Sequence, residues 1–510
     1  MKAASRVALN TIVQYVQLVL NVVIGLYTVR VILNALGASD YGIYDLIAGV
    51  VALLSFISTS LSQTSMRFLS VSLGEGDAHK TGHTFSICFW LHVYIAFALS
   101  IVLFALSFFL FEGVLNIPAE RITTARLLFY FMVIGLFLQV SVTPFNAMIA
   151  AHEKFVYISG VQIIDSLCKL GIAYIIASTT WDKLLLYGVL MVGITVINVL
   201  FYVIFAVINY YKLMSVKRAK LSEMRKVTGF AGWTLLDVLG SVATRQGYAI
   251  LLNSFFGTVV NAVFALSRQI EGHLYTISAS VINTMKPQIM KSHGSGETAR
   301  MFRLSLTAGK FGFSMMSLVA IPLLVMMPEV LSLWLKQVPE GTVLFSRLMI
   351  TACMFEQLTR GLVYANQAVG NIKWFSIIIS TIRVLALPIS WLFFLLGAPS
   401  YAAIVIFLIC ETLGSFSRVY ILSRISDFKA SSFIKTVFLQ LLPPFIIAFL
   451  MCIIGYHFMT GIIGVIIVCV ITALVYCIVM LLIGLTKEEK QSIYGIIFSV
   501  TKGRLVFRNN

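Results

Sequence analysis

Apolar residues fill this chain in long blocks separated by short polar breaks. A helix needs about 20 mostly apolar residues to cross the hydrocarbon core of a bilayer. Blocks of that length recur from residue 8 to residue 484. The pattern predicts spans at 9–36, 42–66, 84–111, 125–149, 156–177, 185–210, 229–255, 258–285, 304–328, 343–369, 374–397, 399–422, 436–457 and 461–484. The strands of a membrane barrel would alternate apolar and polar positions in units of about ten residues, and these blocks do not alternate. The expected fold class is an all-α polytopic membrane protein with about 14 transmembrane helices. Lys2 and Arg6 precede the first block, and no small-residue cleavage site follows. That block therefore reads as a retained helix rather than a signal peptide.

Composition agrees with this pattern. Mean hydropathy is +0.97 and only 11% of residues are charged. A soluble protein this apolar could not cover its surface with polar groups. A net charge of +17 raises the question of nucleic acid. The placement of the charge answers it, because cytoplasmic loops of membrane proteins collect Lys and Arg. With the N-terminus inside, 24 of the 37 basic residues fall in inside segments, 5 in outside segments or the first turns beside them, and the remaining 8 within spans. Both termini are thus expected in the cytoplasm, and no nucleic-acid partner is expected. The seven cysteines all lie inside apolar blocks with no metal-ligand spacing, as packing residues do.

The most basic loop, 211–228, follows the sixth span and reads as a linker between two lobes. The expected organisation is a six-helix lobe over 1–210, the linker, a second six-helix lobe over 229–435, helices 13 and 14 over 436–484, and a tail over 485–510. An internal repeat supports two lobes. Gly74-Glu75-Gly76-Asp77 recurs as Gly294-Ser295-Gly296-Glu297, and Gly37 and Tyr44 align with Gly257 and Phe264, all at an offset of 220. Six helices per repeat is an even number, so the lobes share one orientation, as parallel repeats about an axis along the membrane normal do. Alternating access is the natural use of such a pair.

A charge at mid-bilayer costs about 2.5–3.5 kcal/mol on insertion scales. The basic residues within spans must therefore face protein or water, or reach an interface. Lys310 and Arg418 lie near cytoplasmic span ends and Arg30 near an outer end, where snorkelling suffices. Lys169, Arg245, Arg268, Arg360 and Arg383 lie deeper, as do Asp165, Asp237, Glu271, Glu356 and Glu411. Asp165/Lys169 and Glu356/Arg360 are four residues apart and Arg268/Glu271 three, spacings at which helical neighbours can pair. Arg383 has no acidic neighbour on its own span and needs an external partner. Guanidinium suits phosphate, because it binds bidentately and stays charged when desolvated. Deep amides such as Gln17, Asn21 and Asn198 suit sugars, or bond between helices. No phosphate loop, H-E-x-x-H or G-x-S-x-G occurs. No cofactor is expected, apart from a coupling H+ or Na+, for which Asp237, Glu271, Glu411 and Asp45 are candidates.

The opening, Leu9-Asn10-Thr11 through Asn34-Ala35-Leu36-Gly37-Ala38-Ser39-Asp40-Tyr41-Gly42-Ile43-Tyr44, resembles bacterial oligosaccharide flippases. Met66-Arg67-Phe68-Leu69-Ser70 followed by Gly74-Glu75-Gly76 is similar too. These flippases form the polysaccharide transporter family of the multidrug/oligosaccharidyl-lipid/polysaccharide exporter superfamily. The resemblance implies two six-helix lobes in a V, rocking alternating access, and an undecaprenyl-diphosphate oligosaccharide moved from the cytoplasmic to the periplasmic leaflet of the bacterial inner membrane. Polysaccharide polymerase and export machinery would be partners, with membrane lipid around. In the related lipid II flippases a basic–acidic pair on helix 8 lines the cavity, and Arg268 and Glu271 match it; Arg30 and Asp45 match more loosely. The deep basic residue those relatives carry in helix 2 is missing here, which favours another glycan. Arg268, Arg245, Arg383, Arg360 and Arg30 are the expected diphosphate ligands, with Glu271 orienting Arg268. The alternatives are an ion-coupled drug or metabolite exporter of the same superfamily and a membrane glycosyltransferase or polymerase. Deep basic residues argue against a cation pump, and short outer loops argue against a polymerase.

Overall fold

A computed structural model describes residues 3–52, 54–111, 117–217, 219–335, 338–370, 372–458 and 461–491. Among these residues every regular element is helical. The stretch Ala3–Ala52 breaks at Gly37 into α1 (3–36) and the first part of α2, which resumes over Ser55–Glu75. There follow α3 (Ala78–Phe109), α4 (Ile122–Ala151), α5 (Phe155–Ser178) and α6 (Lys183–Tyr210). The stretch Leu221–Gly294 breaks at Gly257 into α7 (221–256) and α8 (258–294). Then come α9 (Thr298–Trp334), α10 (Thr342–Val369), α11 (Lys373–Leu395) and α12 (Tyr401–Ile425). α13 runs from Ala430 through a π-turn at Ile434–Phe438 to Phe458, and α14 from Gly461 to a second π-turn at Met480–Gly484. The expected polytopic helical architecture is present, and several helices overrun their predicted spans. α8 reaches residue 294 rather than 285.

Ten of the helices carry an 18-residue window with mean hydropathy between 1.2 and 3.2. α8 and α10 are not among them, because Arg268, Glu271 and Lys286 interrupt one and Arg347, Glu356 and Arg360 the other. Burial explains how α10 tolerates this: 20 of its 28 residues are buried. α14 is the opposite case, with the highest hydropathy and only 22% of its window buried. A helix enclosed by protein can carry polar side chains that find partners, whereas one facing lipid must be apolar all round.

The helices form two compact units. One comprises Ile12–Leu235 with Gly294–Gly296, and the other Met1–Thr11, Leu236–His293 and Glu297–Asn510. The division runs through α7. In the first unit, Phe85, Phe145, Met148 and Leu69 centre one apolar core, and Leu128, Phe129 and Leu103 another. The first turns of α7 dock there, with Ser60 Oγ donating to the Ala231 carbonyl at 2.9 Å and Phe230 packed edge-on to Phe68 at 5.6 Å. In the second unit, Tyr248, Phe264, Phe345, Met349 and Phe394 build a core across α7, α8, α10 and α11.

The 220-residue repeat reappears in the backbone. Gly37 has φ 77° and ψ 168°, and Gly257 has φ 79° and ψ −171°. Gly76 and Gly296 have φ 77° and 79°. These are conformations that a side chain disfavours. Nothing lies within 4 Å of a Cβ built on Gly257, so the demand at that position is conformational and not steric. Gly257→Ala should therefore cost about 1–3 kcal/mol and lower the thermal unfolding midpoint in detergent. Gly232→Ala, at an ordinary helical position with open space around it, should not lower it.

Candidate functional site

The second unit holds a buried cluster of charge whose placement follows from small residues. A Cβ on Gly240 would sit 3.1 Å from Ser380 Cβ, and one on Gly247 would sit 2.4 Å from Leu387 Cδ1. These two glycines, seven residues apart on α7, let α11 approach closely. Ser380 donates to the Leu236 carbonyl at 3.3 Å. Between the two contacts, α11 presents Arg383 to α7.

Arg383 is held by three carboxylates from three helices. Its Nε donates to Glu411 on α12 at 3.0 Å, its Nη1 to Asp237 on α7 at 3.1 Å, and its Nη2 to Glu356 on α10 at 3.2 Å. Glu356 Oε1 also accepts from Arg360 Nη1 at 2.6 Å and lies 3.5 Å from Arg418 Nη2. Arg418 further donates to Thr359 Oγ1 at 3.2 Å and to the Glu356 carbonyl at 3.3 Å. Arg360 Nη2 reaches the Tyr275 hydroxyl on α8 at 2.5 Å. Three guanidinium groups meet three carboxylates, so the network closes at zero net charge.

Arg245 and Arg268 stand outside that network. Among the described residues neither forms an ion pair or a hydrogen bond. Arg245 is exposed on α7, and Arg268 is half-buried on α8 with its guanidinium 5.7 Å from the Phe264 ring centroid. Glu271 is buried beside them, within electrostatic reach of Arg245, Glu356, Arg268 and Glu411. The three-residue spacing of Arg268 and Glu271 produces no ion pair, so Glu271 does not orient Arg268 by direct contact.

The other sequence candidates fall in several places. Glu356/Arg360 pairs as its spacing suggests, and Asp165/Lys169 does so at 2.7 Å in the first unit, where Asn198 donates to Asp165 at 2.6 Å. Asp237 and Glu411, candidates for ion coupling, are both bound to Arg383. The side chains of Arg30 and Asp45 lie outside the described residues. Two snorkelling readings are corrected. Arg418 is 1% exposed and sits in the network. Lys310 is 1% exposed and donates to Gln440 on α13 at 2.5 Å and to Glu489 at 2.6 Å. Depth along a helix does not reveal which way a side chain faces, and both face protein. Asn21 bonds to Ser166 at 3.0 Å and Gln17 to Ser159 at 3.5 Å, so these amides link α1 to α5. Among the described residues no group of three or more His, Cys, Asp or Glu is arranged to hold a metal ion.

Comparison with solved structures places the helical arrangement. A MATE transporter in complex with MaD3S superposes with a TM-score of 0.71 at 13% identity, over 84% of this chain and 97% of that one. The chain has the fold of MATE transporters. The Vibrio cholerae MATE transporter VcmN, as a point mutant, gives a TM-score of 0.70 at 15% identity, over 83% and 96% of the two chains. The MATE transporter ClbM in complex with Rb+ gives 0.67 at 15% identity, over 85% and 96%. No family profile matches the chain, and no curated protein matches its sequence. With ten helices long and apolar enough to cross a membrane among the described residues, this is a multi-pass membrane protein; at these identities the shared fold carries no statement about cargo.

The network predicts asymmetric costs. Removing one partner of a buried ion cluster strands the others and typically costs about 3–5 kcal/mol. Arg383→Ala should strongly lower the unfolding midpoint of the purified protein. The double variant Arg383→Met/Glu411→Gln, which removes one charge of each sign, should recover part of the loss.

Proposed function

We propose that this protein is a flippase that moves undecaprenyl-diphosphate-linked oligosaccharide from the cytoplasmic to the periplasmic leaflet by alternating access, for surface polysaccharide assembly. The observation that carries the reading is the pair Arg245 and Arg268. These are guanidinium groups without counter-ions, beside a network whose other arginines are neutralised. Exposed or half-buried charge within spanning helices needs a wet surface or an anionic partner. A diphosphate satisfies two guanidinium groups at once. The MATE fold and the opening motif of the chain support transport over enzymatic chemistry. In this reading the protein sits in the bacterial inner membrane with both termini cytoplasmic. Its cargo is the lipid-linked oligosaccharide, and polymerase and export machinery act after it.

The network narrows the roles assigned from sequence. Arg360 and Arg383 hold carboxylates and so act as scaffold, leaving the diphosphate to Arg245 and Arg268. Asp237 and Glu411 are likewise engaged, so Glu271 is the acid of this cluster left to take a coupling proton or sodium ion.

Deleting the gene and extracting lipid-linked intermediates tests the function. Undecaprenyl-diphosphate oligosaccharide should accumulate inside while surface polysaccharide is lost. Raised drug sensitivity with no trapped intermediate would instead favour a drug or metabolite exporter. At matched expression, Arg268→Ala and Arg245→Ala should each reduce flipping by roughly ten- to a hundredfold, the worth of one charge-assisted hydrogen-bonded contact. Unchanged surface glycan in both variants would remove them from the site.

A further inference from the structure

Two lysines are buried in the described structure, and they differ in their surroundings. Lys310 has a carboxylate and an amide oxygen within hydrogen-bond reach. Lys286, on α8, is 5% exposed and has neither. Its ammonium lies 4.9 Å from the Tyr364 ring centroid, and the charge nearest in effect is Arg360, another cation. A ring face compensates a desolvated ammonium only in part. The site is therefore cationic and short of an acceptor.

An exposed neighbour on the same helix gives the surroundings of Lys286 a polar group at the surface. Asn283, one helical turn before Lys286, is exposed, and its Oδ1 accepts from the Tyr364 hydroxyl at 3.4 Å. That bond orients the Asn283 amide so that its N–H donors are left for a ligand. Pro287 cannot donate to the Asn283 carbonyl, which loosens the helix at this turn. Ammonium and amide N–H are donors that an oxyanion takes, and the positive field of Arg360 favours an anion there without a bond from it.

The position along α8 adds a second argument. Lys286 lies 18 residues from Arg268, which is five helical turns and returns to the same face. The two cations are about 27 Å apart along the axis, close to the ~30 Å thickness of a hydrocarbon core.

We propose that Lys286, Asn283 and Tyr364 form a second phosphate-binding station on α8, distinct from the Arg245 and Arg268 pair, which takes a phosphate or diphosphate group from a lipid headgroup or from solution. As a loading station for cargo it rests on the flippase reading; as an anion site it stands on its own geometry. The station lies toward the cytoplasmic end of α8 and receives the diphosphate before it reaches Arg268.

The test uses the full-length protein in phosphatidylcholine nanodiscs, with inorganic pyrophosphate as probe and thermal unfolding and calorimetry as readouts. Pyrophosphate should raise the unfolding midpoint and bind at two sites. Lys286→Met should unfold at a higher temperature than the unsubstituted protein without anion, since an uncompensated charge is gone, and should lose one binding site. Lys286→Arg should keep that site, and Arg245→Ala/Arg268→Ala should keep it while losing the other. Loss of all binding in the Arg245/Arg268 variant, with Lys286→Met unchanged, would overturn the station and leave the flippase reading intact. Loss in Lys286→Met alone, with the arginine variant unchanged, would support the station and count against that reading. Stabilisation by nanodiscs containing phosphatidylglycerol that disappears in Lys286→Met, without a pyrophosphate effect, would support the station and assign it to lipid headgroups. No response to either probe would overturn it.

Discussion

One carboxylate oxygen organises the second unit. Glu356 Oε1 lies within 3.5 Å of guanidinium nitrogens from Arg360, Arg383 and Arg418, and Arg383 extends the cluster to Asp237 and Glu411. Four helices, α7, α10, α11 and α12, are thereby joined through charge. In water such pairs contribute little, because the ions give up hydration to meet. Inside a membrane-spanning bundle the alternative is a lone charge in a low-dielectric surround, so once the charges are present their mutual pairing is the arrangement the fold must keep. The glycines at 240 and 247, the burial of α10 and its low hydropathy are consequences of that requirement.

Much of the architecture was legible in the chain. Span length follows from bilayer thickness, which a string of apolar residues reports directly. The 220-residue offset was legible too, because Gly37/Gly257 and Gly76/Gly296 mark backbone conformations that few other residues adopt. Helix ends were less so. α8 continues nine residues past its last predicted position through Lys286, Lys291 and His293, since a helix can leave the hydrocarbon region without ending. The π-turns of α13 and α14 left no mark in hydropathy.

Site residues were legible only along single helices. The four-residue pairs Glu356/Arg360 and Asp165/Lys169 formed. The three-residue pair Arg268/Glu271 did not: Arg268 lies by the Phe264 ring, and no ion pair joins it to Glu271. Cross-helix partners had no signal in the string: Arg383 needed an acid from elsewhere, but nothing showed that it would take three. Arg418 and Lys310 were misread for the same reason. Position along a helix gives depth, and only the packed structure gives direction.

The distinction between holding the bundle and binding a ligand then rests on counter-ions rather than on residue type. Five arginines occupy this region, and any of them is chemically able to bind phosphate. Three are bonded to carboxylates, and to recruit them a ligand would have to displace an acid and leave it buried and unpaired, at a cost comparable to what the ligand gains. Arg245 and Arg268 carry no such obstacle, and Glu271 between their fields moderates the positive charge without neutralising either by contact. A transporter must release what it binds, and an anion held by two accessible guanidinium groups near a tempering acid can leave more readily than one held by a sealed cluster. On the proposed function, the closed network would serve transport by staying closed, keeping the helices in register while the unpaired cations bind and release cargo.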